Sequence, residues 1–138
     1  MAKRAAGFVI FRRIEEQIQY LLLRASYADF HWSSPKGHVD PGEDDFTTAL
    51  RETREERYLE EDLIIYRDNP QILNYNVKGK PKVVIYWLAQ LKDPNKEPTL
   101  SDEHTEIKWL SKDAAKDLVG HKDNQDMIEE FHKLILSV

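Results

Sequence analysis

The residues of this sequence with the densest chemistry are Glu43, Arg51, Glu52, Arg54, Glu55, Glu56 and Arg57, which follow the turn dipeptide Pro41-Gly42. Asp44 and Asp45 come directly after that turn as an N-cap and a first-turn carboxylate, so the spacing predicts a helix beginning near Asp45. Phe46, Ala49, Leu50 and Thr53 recur at three- and four-residue intervals and form its inward face. Glu52, Glu55 and Glu56 share a patch on the other side, where Glu52 and Glu56 are a destabilising like-charge i, i+4 pair. Arg51 can reach Glu55 at i, i+4, but a hard divalent cation with oxygen ligands compensates clustered carboxylates more strongly. Magnesium bridges protein carboxylates to substrate phosphates, which makes this helix a candidate site of phosphate chemistry. A solvated charged face is the commonest alternative fate of such a run.

The whole pattern favours chemistry. Gly37, five residues, Glu43, seven residues, Arg51-Glu52, then Glu55-Glu56 and Leu59 resemble the Nudix box, G-x₅-E-x₇-R-E-u-x-E-E-x-G-u, with u a bulky aliphatic residue. Two positions depart from it. Thr53 stands where an aliphatic side chain is usual, and Tyr58 replaces the glycine that follows the helix. Glycine suits a left-handed helix end, and a tyrosine forced into that conformation costs on the order of 1 kcal/mol. The expectation is an altered helix end with the chemistry intact.

These residues must be positioned by a chain of 138 residues, sufficient for one domain over 1–138 with a single core. The absence of cysteine excludes disulfides, thiolate metal sites and cysteine nucleophiles, so a metal must sit on oxygen or histidine. The start, Met1-Ala2-Lys3-Arg4, leads into an apolar run broken by Arg12 and Arg13, with neither signal-peptide nor membrane-span character. A soluble, intracellular, cytoplasmic protein is the expectation, and a net charge of -5 offers no general attraction to nucleic acid or anionic membrane.

Along the chain, 5–11 and 18–23 read as a β-hairpin, with Gly7 marking a close backbone approach or a purely structural position. The loop after Arg24 carries Tyr27, His31 and Trp32; Tyr27 either stacks on a nucleobase or plugs the core edge. Trp32 is assigned to packing, and His31 and Lys36 to phosphate contact, because both donate to anionic oxygens. Beyond the helix, 62–66 and 71–77 read as strands separated by a turn at Asp68-Asn69-Pro70. Lys78-Gly79-Lys80-Pro81-Lys82 then joins Val77 to a strand over 83–91. Any one of these lysines is ordinarily a solvated hairpin tip, but at least one of Lys80 and its neighbours should neutralise phosphate. Tyr75 and Tyr86 flank this turn; alternation makes Tyr75 either core or the wall of a cleft. The polar stretch 92–103, with Pro94 and Pro98, is a loop ending in Glu103-His104, which either serve the site or lie in solvent. A short strand over 107–110 precedes a helix capped by Ser111, which Gly120 stops. Met127, Ile128, Phe131, Leu134 and Ile135 mark a last helix packed on the sheet.

The Nudix resemblance implies an α/β (α+β) fold, a mixed β-sheet sandwiched between α-helices. The segment from His31 to Glu43, Asn74-Tyr75, Lys80-Pro81-Lys82, Val84-Ile85-Tyr86-Trp87-Leu88 and Glu103-His104 are together similar to the animal-type asymmetrical diadenosine tetraphosphate hydrolases over nearly the whole chain. That resemblance implies attack of water on a dinucleoside polyphosphate, giving ATP and AMP. It implies Glu52, Glu56, Glu55 and Glu103 as metal ligands for Mg²⁺, with Mn²⁺ or another divalent cation as alternatives. Glu56 or Glu103 is then the base, and Arg51 orients the glutamates through Glu43 and Glu55. His31, Lys36, Lys80 and Lys82 would hold phosphates, Tyr27 and Tyr75 would sandwich adenine, and Tyr86 joins the substrate-binding candidates. A monomer is expected. The alternatives are a Nudix hydrolase of another nucleoside or inositol polyphosphate, and a catalytically weak nucleotide-binding module.

Overall fold

A computed structural model describes residues 3–27 and 30–138; part of the loop expected after Arg24, Ala28 and Asp29, lies outside them. Strands β1 (Lys3–Ile14) and β2 (Gln17–Ala25) form the expected hairpin, with β3 (Trp32–Ser33) and β4 (Lys36–His38) following. Helix α1 (Asp45–Glu55) leads through a 3-10 turn at Glu60–Asp62 into β5 (Leu63–Val77) and β6 (Lys80–Leu91). The chain ends with β7 (His104–Leu110), α2 (Lys112–Val119) and α3 (Lys122–Ser137). The seven strands run in the order β3-β2-β1-β6-β5, with β4 paired to β1 and β7 to β2. β1 and β6 are parallel and the other pairs antiparallel.

Strict alternation along β1 divides the core. Ala5, Val9 and Phe11 face Met127, Ile128, Phe131 and Ile135 of α3, while Ala6, Phe8 and Ile10 face Ala49 of α1. The sheet is therefore covered by α1 on one side and by α2 and α3 on the other, as expected for a mixed sheet between helices. No helix among the described residues is long and apolar enough to cross a membrane.

β5 corrects the reading of two strands separated by a turn. It is continuous over Leu63–Val77, and Asp68-Asn69-Pro70 falls within a break of register against β6 between Tyr66 and Gln71. β5 is an edge strand, where a proline lacking its N–H is tolerated at a bulge. The β5–β6 hairpin closes through Lys78-Gly79, both with positive φ (53° and 78°), the signature of a two-residue type I′ turn.

Candidate active site

Asp44 caps α1, its side chain accepting from the Thr47 backbone N–H at 2.7 Å. The buried stripe of α1 is Thr48, Ala49, Glu52 and Thr53, so Glu52 turns inward, contrary to the outward patch expected of it. The reason is Gly37 on β4: a Cβ there would overlap the Glu52 carboxylate, so the bare glycine lets strand and glutamate meet. Gly7 does the same for backbone packing, since a Cβ on it would overlap the Pro35 carbonyl.

Arg51 fixes this corner. It donates from Nε to Glu43 at 2.9 Å, from Nη1 to Glu52 at 3.0 Å and from Nη2 to the His38 carbonyl at 2.9 Å. Asp40 lies 3.4 Å away and the expected partner Glu55 only at 4.0 Å, so Arg51 orients Glu52 more than Glu55. Hydrogen bonds from Arg51 and then Thr48 hold the Glu43 carboxyl down at about 2, keeping it ionised as the guanidinium's anchor.

Glu52, Glu55 and Glu103 each offer a carboxylate oxygen, and these atoms lie within 4.8 Å of one another. Glu103 comes from the loop after β6, clasped where Ser26 N–H donates to its carbonyl at 2.8 Å and Ser26 Oγ to the Asp102 carbonyl at 3.1 Å. Glu56 stands apart from this trio: it is 2 % exposed, and its Oε1 lies 3.6 Å from His104 Nδ1. Its Oε2 and Thr53 Oγ1 are, among the described residues, the buried side-chain polar atoms without a hydrogen-bond partner. Burial first, then Glu55 and Glu52, pushes the Glu56 carboxyl up to about 8. Burial and then Glu55 push Glu52 up to about 7. Such a donor set fits a hard divalent cation, which would supply the missing partner and neutralise the repulsion.

A cleft of about 410 Å³ opens above these carboxylates. Glu52 and Glu103 line one part of it, Lys36, His38 and Lys82 another, and Tyr27 its rim. Burial first, then Lys82, depresses the Lys36 ammonium to about 8. Tyr27 is 55 % exposed, which removes the core-plug alternative, and His31 stands edge-on to it at 6.1 Å. Lys80 is exposed beside Lys82 at the β5–β6 turn. The same cleft shows what the sequence did not single out: His38 and Asp40 occupy variable positions of the box, so spacing gave no signal for them.

Two tyrosines fall elsewhere. Tyr86 is 2 % exposed in the core beneath α3, a correction explained by β6 lying inside the sheet with both faces covered. Tyr75 packs at the edge of the same core, accepting from Asn124 Nδ2 at 2.9 Å and meeting His121 edge-on at 5.7 Å. It does not line the cleft that Tyr27 rims.

The helix end also departs from the expected strain. Arg57, not Tyr58, takes the left-handed conformation, at φ 69°. Arg57 N–H donates to the Arg54 carbonyl at 2.9 Å and Tyr58 N–H to the Thr53 carbonyl at 3.4 Å, the two bonds of a Schellman motif. That puts Tyr58 where the motif carries an apolar side chain turned back on the helix. It is 1 % exposed, and its hydroxyl donates to the Lys96 carbonyl in the loop leading to Glu103.

The NUDIX domain family matches residues 1–131 of this sequence. The chain belongs to the NUDIX family. Among relatives of this Nudix chain, the mouse bis(5'-nucleosyl)-tetraphosphatase [asymmetrical] is 46% identical over 144 residues, covering 99% of this chain and 98% of the mouse protein. The enzyme of the same name from Caenorhabditis elegans is 44% identical over 95% of each chain. The crystal structure of a C. elegans Ap4A hydrolase binary complex superposes with a TM-score of 0.96 at 41% identity, covering 99% of this chain and all of that one.

Proposed function

We propose that this Nudix chain, acting as one domain over 1–138, hydrolyses diadenosine tetraphosphate asymmetrically to ATP and AMP with the help of divalent cations, of which magnesium is the expected one. One observation carries the reading: identity to asymmetrical tetraphosphatases runs the whole length of both partners, 46% over 99% of this chain and 98% of the mouse relative. The cleft supports it, since a wall of carboxylates faces Lys36 and Lys82, and a polyphosphate with bound metal needs both.

Glu52, Glu55 and Glu103 would hold the metal, and the unpartnered Oε2 of Glu56 supports adding that carboxylate to the donor set. When bound, a divalent cation neutralises charge along the polyphosphate and lowers the pKa of an attacking water. Arg51 keeps the Glu52 carboxylate aimed at the cleft. Lys36, Lys82 and His31 hold the phosphates, and the exposed ring of Tyr27 stacks on an adenine. Glu56 takes the proton from water as the water oxygen bonds to phosphorus and the phosphoanhydride bond breaks; its buried Oε2, which among the described residues meets no hydrogen-bond donor, supports this role. Glu103 is the second choice of base, favoured by its position on the open cleft. A monomeric, cytoplasmic protein belongs to the same proposal.

A substrate panel tests the reaction class: preferential turnover of inositol pyrophosphates or nucleotide sugars would overturn it, and nucleotide binding without magnesium-dependent turnover would leave only a binding module. For the base, Glu56→Gln should lower kcat by roughly 10²-fold or more. If Glu56→Gln turns over like the wild type and Glu103→Gln does not, the base is Glu103.

A further inference from the structure

The loop that brings Glu103 to the α1 carboxylates, residues 92–103, forms neither helix nor strand. A segment without its own ladder of backbone hydrogen bonds takes its course from the groups it touches. Ser26 clasps its far end, and its near half lies against the C-terminal end of α1. There the Tyr58 hydroxyl donates to the Lys96 carbonyl, and the Thr99 N–H donates to the Glu56 carbonyl at 2.9 Å. Pro98, between these two anchors, is buried.

Other contacts hold the same stretch from its solvent side. Lys96 Nζ pairs with Asp62 at 2.8 Å, and Glu97 accepts from Arg12 Nη1 and from Trp109 Nε1, each at 3.2 Å. The Lys96 and Glu97 side chains are 38 % and 63 % exposed, and ion pairs in such positions contribute little. The Tyr58 hydroxyl is of another kind. The residue is buried, burial pushes its phenol up so that it stays a protonated donor, and a hydrogen bond withdrawn from water is stronger. The glycine usual at this position of the box has no side chain with which to make this bond. Packing at the helix end needs only the ring of Tyr58, whereas its hydroxyl ties the Glu103 loop to the helix that carries Glu52 and Glu55.

We infer that Tyr58 is a positioning residue for Glu103: its hydroxyl sets the course of the 92–103 loop, and so holds the Glu103 carboxylate where it can share a divalent cation with Glu52 and Glu55. The inference rests on the reading of Glu103 as a metal ligand. It adds to that reading a residue that touches neither metal nor substrate, at the one position after the helix where this chain departs from the box.

The test is a double-mutant cycle of Tyr58→Phe, which keeps the packed ring and removes only the hydroxyl, with Glu103→Gln. Titration calorimetry of chelator-treated protein reads the Kd for magnesium with no substrate present. Tyr58→Phe should weaken magnesium binding about tenfold, the effect typical of losing a group that orients a ligand, and lower kcat by a similar factor with KM little changed. In the Glu103→Gln background no carboxylate is left to place, so the same substitution should change neither. An equal loss in both backgrounds would show a general softening of the fold and overturn the inference, as would unchanged magnesium affinity in Tyr58→Phe. Glu103→Gln binding magnesium as tightly as the wild type would overturn it too, by removing Glu103 from the site. Turnover of diadenosine tetraphosphate by the wild type is read separately. The calorimetric cycle involves no substrate, so failure of the hydrolase proposal and failure of this inference are told apart.

Discussion

Glu56 has one carboxylate oxygen that meets no hydrogen-bond donor while the residue is 2 % exposed. An unpaired buried acceptor costs about 1–3 kcal/mol, more if charged, so its retention points to a ligand the protein is built to receive. Gly37 is the matching constraint on the other side of the site. Gly37→Ala should drive the new methyl into the Glu52 carboxylate and lower kcat/KM at least tenfold while urea unfolding changes modestly; unchanged kinetics would contradict the close approach. At the helix end, Arg57→Gly should stabilise the fold by up to about 1 kcal/mol, because it is Arg57 that sits at positive φ. Tyr58→Gly, which restores the family's usual residue, should instead destabilise by roughly 3–5 kcal/mol in urea unfolding, because it empties a fully packed site. The box showed which residue was unusual at this end. It did not show that the left-handed turn lies one residue earlier, which depends on where the last α-helical bond closes.

At the scale of elements, α1 was legible because its signals are local: Asp44 as cap, an apolar stripe, and charges at fixed spacing. Its burial was not, since Glu52 is covered by β4 (Lys36–His38), well before it in the chain, and through Gly37. β5 shows the converse. Asp68-Asn69-Pro70 is a strong local turn signal, yet the strand continues past it because an edge position leaves the proline's missing donor unneeded. Tyr86 and Tyr75 have the same chemistry in adjacent strands, and only the helices packed over them decide that one is core and the other a core edge. The acidic end of α1 also gives the element a pH signature. Glu52 and Glu56 stand at about 7 and about 8 against an ordinary 4.5, so the folded state binds their protons more tightly than the unfolded chain. Their contribution to stability is full below pH 4.5 and is lost as pH rises through 7 and 8. The Tm of protein freed of metal by chelation should therefore fall between about pH 5 and about pH 8.5, and magnesium should restore more of it at the alkaline end. Calorimetric scans across pH check this, and a magnesium effect that does not grow with pH would contradict it.

At the scale of the molecule, the sheet brings together groups that are far apart in sequence. Lys36 on β4, Glu52 on α1, Lys82 on β6 and Glu103 before β7 meet in one cleft because β1 lies between β4 and β6. The loop that carries Glu103 is held at Lys96 by Tyr58, at the Thr99 N–H by the Glu56 carbonyl, and at its end by Ser26. Sequence spacing exposed the α1 carboxylates, whereas the partnership of Glu103 with them required a resemblance, since a polar loop end looks the same whether or not it serves a site. The central claim is that this assembly cleaves the tetraphosphate off centre. It is tested most directly by incubating the protein with magnesium and diadenosine tetraphosphate in ¹⁸O-labelled water and resolving the products by mass. ATP and AMP in equal amounts, with the label in one of them, is the predicted result; two molecules of ADP, or no magnesium-dependent cleavage, would contradict it.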